Sequence, residues 1–275
     1  MNIVDTIILG IVQGLTEFLP VSSSGHLVIS KTLLNVDSPG IFMEISLHLG
    51  TMLAICAVFW KDIYLIFKDL KSSFSKLISR RNVGDILKED RHTRLFLMVL
   101  VATVPTAIIA LLFEEQFERF FSAPALAGAM LIVTGTILWF TKNIKTNELE
   151  EKPISFLRAI IIGAVQGMAI TPGISRSGTT IAAATFMGVN RSSAAKFSFL
   201  LSIPAILGAV VTKLDEMSMS RSDLSNIIIG TVIATVVGYI ALRFLVSLIE
   251  KGKFYVFSYY CWAVGIGTVI VYYLK

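Results

Sequence analysis

Long apolar segments alternate with short polar ones along most of this chain. Six of the apolar segments approach the roughly 20 residues that a helix needs to cross a bilayer. They lie at about 41–60, 95–113, 123–141, 190–212, 225–245 and 255–273. This pattern predicts an all-α integral membrane protein with six transmembrane helices.

Two further apolar segments, at about 3–34 and 156–187, are each interrupted by a run rich in Pro and Ser. Each arm of these segments has about 15 residues, which is roughly 22 Å of helix. That length is too short to cross the membrane comfortably, and it suits a helix-loop-helix hairpin that enters and leaves on one side. We therefore predict two re-entrant hairpins. A kinked full span in each segment is the alternative, and it would change the side on which the termini lie.

The two interrupted segments share one motif. Four pairs of identical residues recur at one constant offset, which exceeds half of the chain: Gln13 and Gln166, Gly14 and Gly167, Ser22 and Ser175, Gly25 and Gly178. Such an offset indicates a duplicated half rather than a solenoid. Each half then holds one hairpin and three spans, and because three is odd, the second half starts on the opposite face. The sequence predicts a single membrane domain made of two inverted-topology repeats, at about 1–141 and 154–275.

The composition agrees with a membrane protein. The chain is 55% hydrophobic and 16% charged, and its mean hydropathy is +0.76. Soluble globular domains carry about 25% charged residues. These values exclude a soluble enzyme and a nucleic-acid-binding protein, and the net charge of +5 is better explained by membrane topology than by an acidic partner.

The distribution of basic residues sets the expected orientation. The longest polar insertion, 61–94, carries a run of bases: Lys61, Lys68, Lys71, Lys76, Arg80, Arg81, Lys88, Arg91 and Arg94. Cytoplasmic loops carry such an excess, so this insertion is placed in the cytoplasm, and the loop that contains Glu114, Glu115 and Glu118 is placed outside. The first hairpin then enters from the outside, the second enters from the cytoplasm, and their tips meet near the midplane.

The cysteines and the N-terminus add little chemistry. Cys56 and Cys261 lie in apolar stretches without metal-ligand spacing, so we expect reduced core thiols. The segment from Met1 to Asp5 has no basic residue, and no small-residue cleavage site follows the first apolar run. We therefore expect this segment to belong to the mature protein.

The break in the first hairpin is polar and charged. Glu17 lies among apolar residues, and a carboxylate at membrane depth is costly enough to indicate function by default; an interfacial Glu that reaches water is the alternative. Gln13 lies one helical turn earlier on the same face, where it either orients a ligand or packs against a neighbouring helix. The residues that follow the break are Ser22, Ser23, Ser24, Gly25 and His26.

The break in the second hairpin has the same construction. Its residues are Pro172, Gly173, Ile174, Ser175, Arg176, Ser177, Gly178 and Thr179. Ser is a favoured N-cap residue, and helix N-termini bind phosphate through their free N–H groups. Arg176 suits bidentate phosphate binding, with an ion pair to a buried carboxylate such as Glu17 as the alternative. Together the two tips predict an anion-binding site.

The histidines supply the titratable groups. His26 can act as an acid, a base or a nucleophile, with a packing or capping role as the alternative. Glu44 and His48 lie one turn apart in the next span, where they form a second layer around the site, a cation site or a polar stripe that faces the bundle. His92 lies in the basic insertion and is expected to be solvated.

These motifs resemble those of a known family. The run from Gln13 to His26 closely resembles the signature of the undecaprenyl pyrophosphate phosphatases of the bacitracin-resistance family, and the run from Pro172 to Thr179 resembles their second motif. The likeness covers nearly the whole chain and includes Phe59-Trp60 at the end of a span. Long, paired motifs in the right order make this resemblance specific.

The resemblance implies a multi-pass enzyme of the bacterial inner membrane whose site opens to the outer, periplasmic face. Such an enzyme hydrolyses undecaprenyl diphosphate to undecaprenyl phosphate and inorganic phosphate. This recycles the lipid carrier for cell-wall synthesis and confers bacitracin resistance. The implied partners are a polyprenyl diphosphate and membrane lipids, not nucleic acid, and a homodimer stays open. A flippase or transporter of an anionic lipid phosphate is the alternative, because inverted repeats with broken helices occur in transporters.

The resemblance also assigns roles by position. Glu17 matches the acid of the motif, Ser23 its hydroxyl, His26 its histidine and Arg176 its phosphate-binding arginine, and we expect these four to be catalytic. The family's first motif begins with Glu or Gln, and Gln13 in this chain weakens any scheme that needs two carboxylates. Substrate binding is expected from Gln13 and from the small and hydroxyl residues of both tips: Ser22, Ser24, Gly25, Gly173, Ser175, Ser177, Gly178 and Thr179.

The expected reaction is phosphoanhydride hydrolysis at the membrane–water boundary. Arg176 and the helix N-termini neutralise the diphosphate, and Glu17 and His26 transfer protons. Attack by Ser23, by His26 or by a water held by Glu17 stays open. The family depends on a divalent cation, Mg²⁺ or Ca²⁺; since no protein cage is evident, the cation is expected to be shared with the diphosphate, and no residue is assigned as a metal ligand.

Overall fold

A computed structural model describes residues 3–34, 41–79, 82, 84–85, 89–144, 154–213 and 224–274. These residues are almost entirely helical. The α-helices are α1 (Ile3–Phe18), α2 (Ser23–Leu34), α3 (Ile41–Val58), α4 (Trp60–Ile78), α5 (Arg91–Leu112), α6 (Glu114–Phe121), α7 (Pro124–Phe140), α8 (Phe156–Met168), α9 (Arg176–Phe186), α10 (Arg191–Thr212), α11 (Leu224–Glu250) and α12 (Phe257–Leu274). Short 3₁₀ helices at Thr141–Asn143 and Phe254–Val256 follow α7 and precede α12.

Five helices in the described part of the chain are long and apolar enough to cross a membrane on their own, namely α5, α7, α10, α11 and α12. Helices α3 and α4 pass the same test as a pair, with a bend of 75° between them, and bring the count to six. The five single helices and α3 lie at the six predicted spans, whereas α4 lies in the predicted polar insertion. An all-helical fold with five or six candidate membrane spans is thus confirmed for the described residues. Helix α11 is longer than predicted and continues to Glu250.

Two segments that the charge pattern assigned to polar loops contain helices. Most of the basic insertion is α4, and the acidic loop is α6. Both are amphipathic, because their apolar residues recur at helical spacing between charged ones. The loop predictions rested on charged residues alone, which do not reveal the apolar face by which each helix packs on the bundle.

The repeated glycines lie at helix crossings. Helix α1 packs along α11, and a Cβ atom added at Gly10 would lie 3.0 Å from the carbonyl oxygen of Gly230. Helix α8 packs along α5, and a Cβ atom added at Gly163 would lie 2.0 Å from the carbonyl oxygen of Ala102. The first helix of each half thus packs on a helix of the other half, at equivalent glycines of the repeat.

Helices α7 and α12, the last helix of each half, pack against each other. Gly128 and Gly265 face one another there, since a Cβ atom on either residue would lie within 3 Å of the other's carbonyl oxygen (2.9 and 2.6 Å). Beyond this crossing, the rings of Trp139, Tyr255, Tyr259 and Trp262 form a cluster at one end of the pair. Aromatic residues concentrate at membrane–water interfaces, and this cluster at the end of two candidate spans is typical of them.

The crossing at Gly163 makes a prediction about stability. Gly163→Ala places a methyl group inside the distance of closest approach to α5, and overpacking of this kind costs about 1–3 kcal/mol. Gly208 in α10 has open space at the same atom, so Gly208→Ala is the matched control and should be neutral. We expect a lower Tm for Gly163→Ala alone in detergent. Equal Tm values for the two variants would mean that α5 and α8 can separate freely.

Candidate active site

The helix breaks that the sequence predicts are present. Helix α1 ends at Phe18 and α2 begins at Ser23, and α8 ends at Met168 before α9 begins at Arg176. Each break therefore leaves a helix N-terminus, that of α2 and that of α9, next to the other tip. Free N–H groups and the positive end of the helix dipole make both N-termini favourable for an anion.

The two tips contact each other directly. The hydroxyl oxygen of Ser22 accepts hydrogen bonds from the backbone N–H of Gly173 (3.0 Å) and from that of Gly25 (3.3 Å). Ser22 has a φ of +66°, a left-handed conformation that is strained for a residue other than glycine. Gly173 has a φ of +92°, and a Cβ atom there would lie 2.1 Å from the carbonyl oxygen of Ala127. This position therefore requires glycine.

Helix α7 holds the second tip in place through Thr134. The Thr134 hydroxyl donates to the carbonyl oxygen of Gly173 (2.9 Å) and accepts from the backbone N–H of Ser175 (3.0 Å). The Ser175 hydroxyl in turn accepts from the backbone N–H of Gly178 (3.1 Å) and caps α9. A turn with few apolar side chains is thereby fixed by hydrogen bonds.

Glu17 is the centre of the site. Its side chain is 3% exposed, and one carboxylate oxygen, Oε1, accepts from the guanidinium group of Arg176. The other oxygen, Oε2, accepts from the Ser23 hydroxyl (2.7 Å) and from the side-chain amide of Gln13 (3.0 Å). The structure thus brings Gln13, Glu17, Ser23 and Arg176 together, and the ion pair that was an alternative for Arg176 is present.

His48 completes the cluster from α3. Its Nδ1 atom lies 2.9 Å from Nε2 of Gln13 and 3.4 Å from Oε2 of Glu17. The Gln13 amide donates towards both neighbours, which leaves its buried carbonyl oxygen Oε1 without a hydrogen-bond partner among the described residues. His48 thus lies in a layer that contacts Gln13 and Glu17, as the first of its three alternatives predicts.

A cavity of about 110 Å³ adjoins this cluster. It lies between α2, α3 and the end of α6, and its lining residues are Ser24, Leu27, Val28, Glu44, His48 and Phe121. His48 belongs both to the cluster around Glu17 and to the cavity wall. The cavity therefore lies beside the Glu17 cluster, on the side of the bundle that contacts the end of α6.

His26 is held away from this carboxylate cluster by two other partners. Its Nδ1 atom lies 2.9 Å from the carbonyl oxygen of Ser22, and its Nε2 atom lies 2.8 Å from the Tyr260 hydroxyl. The two rings stack with their centres 5.7 Å apart. The histidine that joins the Glu17 hydrogen-bond cluster is thus His48, whereas His26 and Tyr260 form a separate pair beside the first tip.

Several hydroxyl groups that the motifs suggested for substrate binding are bonded to the backbone. Ser177 donates to the carbonyl oxygen of Phe18 (2.9 Å), and Thr179 donates to that of Ser175 (2.8 Å). Ser24 is half-buried and lines the cavity, and its hydroxyl oxygen lies 3.3 Å from that of Ser22. The substrate-binding roles of both tips stay predictions, and the buried hydroxyls also join the tips to each other.

Sequence reasoning missed Thr134 and Tyr260. Both lie inside apolar spans without a motif, and each reaches the site through a contact with a residue far along the chain. His92, which was expected to be solvated, instead pairs with Asp69 (2.8 Å) on α4. The buried, hydrogen-bonded Thr134 had no local signal, because hydroxyl residues are common in transmembrane helices.

The sequence is similar to known proteins over nearly its whole length. The family model described as bacitracin resistance protein BacA matches residues 6–267. A protein of Desulforapulum autotrophicum named undecaprenyl-diphosphatase is 41% identical to the chain over 271 residues, which is 98% of both chains. Proteins of the same name from Halothermothrix orenii and Desulfosudis oleivorans are 42% and 44% identical, over 98% and 96% of this chain and 98% and 97% of their own lengths.

The match to residues 6–267 spans both helix breaks. The chain belongs to the bacitracin resistance protein BacA family.

Proposed function

We propose that the chain hydrolyses undecaprenyl diphosphate to undecaprenyl phosphate and inorganic phosphate. The observation that carries this proposal is the cluster of Glu17, Ser23 and Arg176 where the N-termini of α2 and α9 converge. It combines a cation for phosphate, a hydroxyl and a carboxylate in one place, buried in an apolar bundle. The name undecaprenyl-diphosphatase of the similar proteins supports the same substrate.

Substrate binding requires the site to accept negative charge. Arg176 offers a planar fork that matches phosphate oxygens, and the first turns of α2 and α9 offer backbone N–H groups. The Arg176 side chain is 23% exposed, whereas its partner Glu17 is 3% exposed. The arginine is therefore the member of the pair that can reach an entering diphosphate.

Ser23 and Glu17 have the geometry of a nucleophile and its base. The hydroxyl proton of Ser23 points at Oε2 of Glu17 over 2.7 Å, within the range for proton transfer. Attack of the Ser23 oxygen on the terminal phosphorus would pass this proton to Glu17 and break the bond to the bridging oxygen. The lipid monophosphate leaves, and water then hydrolyses the phosphoserine. Direct attack by a water held by Glu17 uses the same base.

We assign His26 to the leaving group. Its ring is oriented by Ser22 and by the Tyr260 hydroxyl, at the first turn of α2 where the diphosphate would lie. A protonated ring there can donate to the bridging oxygen as it departs. Glu17 and His26 then act on opposite sides of the reacting phosphorus, which is consistent with their separate hydrogen-bond clusters.

A divalent cation, Mg²⁺ or Ca²⁺, would have to come with the substrate. Among the described residues, no group of three or more His, Cys, Asp or Glu side chains is placed to hold a metal ion. Both oxygens of Glu17 already accept hydrogen bonds. The residues present thus do not fit a protein-held metal centre, and we propose that the diphosphate supplies most of the oxygen ligands.

The inverted-topology repeat is also part of the proposal. It is supported by the exchanged packing of α1 on α11 and α8 on α5 at equivalent glycines, and by the contact between the two tips. In this topology the end of α2, the start of α3 and α6 lie at the outer face, so the cavity beside His48 opens to the periplasm. The inner membrane is the proposed location, and dimerisation stays a prediction.

The first prediction of this proposal concerns charge at the anion site. Arg176→Lys keeps a cation but loses the bidentate fork, and we expect a loss of phosphate release of about 10²-fold, with Arg176→Ala lower still. The matched controls are Arg243→Lys and Arg243→Ala, because Arg243 is exposed and lies near the Tyr239 ring, 5.9 Å from its centre. Release should be measured on monodisperse protein with a long-chain prenyl diphosphate. Near-normal release by Arg176→Ala would remove the arginine from the site.

The second prediction separates an enzyme from a transporter. Glu17→Gln and His26→Gln should still bind a prenyl diphosphate through Arg176 and the helix N-termini. Each should lose phosphate release by about 10²–10⁴-fold, since general acid–base groups contribute that much. Glu118→Gln and His92→Gln change the same residue types outside the site and should retain activity.

Two outcomes would change this assignment. Absence of phosphate release by the wild-type protein would favour a flippase or transporter of a lipid phosphate. Full activity of His26→Gln with an inactive Glu17→Gln would limit His26 to orientation and leave proton transfer to the carboxylate.

The third prediction concerns topology. Single cysteines at Glu115 and Leu274 should react with a membrane-impermeant maleimide from outside intact cells, and a cysteine at Ser79 should react only after lysis. All three positions are exposed, Cys56 would be replaced by Ala, and Cys261 is fully buried. Protection of Leu274 until lysis would contradict the odd number of spans in each half and, with it, the inverted repeat.

A further inference from the structure

Helix α4 leaves the bundle at an angle that its sequence does not reveal. It begins at Trp60, directly after α3 ends at Val58, and the two axes are bent by 75°. Helix α3 has 18 residues, or about 27 Å of helix, which is nearly enough to cross the hydrocarbon core by itself. A second helix at this angle therefore runs close to the plane of the membrane surface.

One side of α4 exposes large apolar side chains. Trp60, Tyr64, Phe67, Phe74 and Ile78 are 58, 61, 69, 66 and 68% exposed. At 3.6 residues per turn these five residues fall within an arc of about 80°. An exposed apolar surface of this size needs a cover, because single exposed apolar residues are normal but five large ones along one side of a helix are not.

The adjoining side of α4 faces the protein. Ile66 and Ser73 are each 8% exposed, and Ile63 and Leu70 pack against the main core cluster. Protein contact thus accounts for one arc of the helix and leaves the aromatic arc next to it uncovered. The uncovered arc begins at Trp60, directly after the end of α3.

The third side of α4 is basic. Lys61 and Lys68 are exposed on the arc opposite the core, and Lys71 is exposed within the aromatic arc. The Lys61 ammonium lies 5.8 Å from the centre of the Trp60 ring. Within the described part of the chain none of these three lysines forms an ion pair. Long Lys side chains can cover apolar surface while the ammonium group reaches a polar layer.

Hydrogen bonds and ion pairs fix the rotation of α4 about its axis. Ser73 donates to Asp90 (2.6 Å), and Lys76 donates to the same carboxylate (2.8 Å) at the start of α5. At the other end, Lys196 of α10 donates to Asp62 (2.6 Å). Asp62 of α4 therefore faces the protein, and the aromatic arc and the three lysines face away from it.

We propose that α4 lies in the interface of one leaflet and binds anionic phospholipid headgroups through Lys61, Lys68 and Lys71. A helix with an apolar face, a Lys-rich polar face and aromatic residues at the boundary has the properties of interfacial helices. Anionic headgroups attract nearby Lys residues. The assignment to lipid, and not to a soluble protein, follows from continuity: the aromatic arc starts at the last turn of a membrane-crossing helix. On the proposed orientation this leaflet is the cytoplasmic one.

The depth of α4 can be measured directly. Nitroxide labels at Phe67→Cys and Phe74→Cys, in a Cys56→Ala background and in nanodiscs, should report high oxygen accessibility at one shared, shallow depth. Labels at Lys68→Cys and Ser72→Cys, on the polar side, should respond to a water-soluble paramagnetic reagent. A label at position 74 that lies clearly deeper than the label at position 67 would make α3 and α4 one broken span. Labels that all report water would make α4 a soluble surface. Either result overturns the proposal.

The charge can be tested separately. We expect the wild-type Tm to rise when phosphatidylcholine nanodiscs are replaced by mixtures with phosphatidylglycerol. The variant with Lys68→Gln and Lys71→Gln should lose most of this rise. The matched control is Lys251→Gln with Lys253→Gln, which removes the same charge from two exposed positions beyond α11 and should keep the rise. Equal losses in both variants, or no rise in the wild type, would overturn the lipid site. None of these readouts depends on phosphate release, so their failure leaves the proposed hydrolysis intact.

Discussion

The ion pair between Glu17 and Arg176 is the interaction on which the site depends. It joins the end of α1 to the start of α9, so each half of the chain supplies one charge. Desolvation of either group alone costs several kcal/mol, and removal of one partner leaves the other uncompensated. The pair is tolerable because Gln13 and Ser23 supply further hydrogen bonds to the carboxylate. The site is therefore a property of both halves together.

The two tips can meet only because glycines, which have no side chain, lie where the backbone segments approach each other closely. Gly10 and Gly163 allow the first helix of each half to approach a helix of the other half, and Gly173 lets the second tip lie against Ala127. The polar backbone of each break is then satisfied by Ser22 and Thr134. Polar backbone within an apolar bundle is stable when it is enclosed by protein and hydrogen-bonded in this way. Small residues in the helices and hydroxyl groups at the breaks thus both allow the two tips to contact each other.

The sequence predicts the spans from their apolar length and the two helix breaks from their Pro and Ser residues. It also predicts the site residues Glu17, Ser23 and Arg176, because they are charged or hydroxyl residues in or beside an apolar run. The roles of Thr134 and Tyr260 could not be predicted, since their signal is tertiary. Hydroxyl groups such as that of Ser177 were expected to face a ligand. In the structure they bond to the backbone, because helix ends leave unpaired groups that have no access to water here. Helix α4 was not predicted, because its lysines made the segment resemble a polar loop.

The same ion pair connects binding to chemistry. On the proposed mechanism, a diphosphate carries more negative charge than one carboxylate and therefore draws the Arg176 guanidinium towards itself. Glu17 then keeps its hydrogen bonds from Ser23 and Gln13 but loses its cation, and a buried carboxylate without a cation is a better proton acceptor. The hydroxyl of Ser23 already donates to that carboxylate. On this mechanism the substrate that Glu17 acts on also releases Glu17 from its ion pair with Arg176.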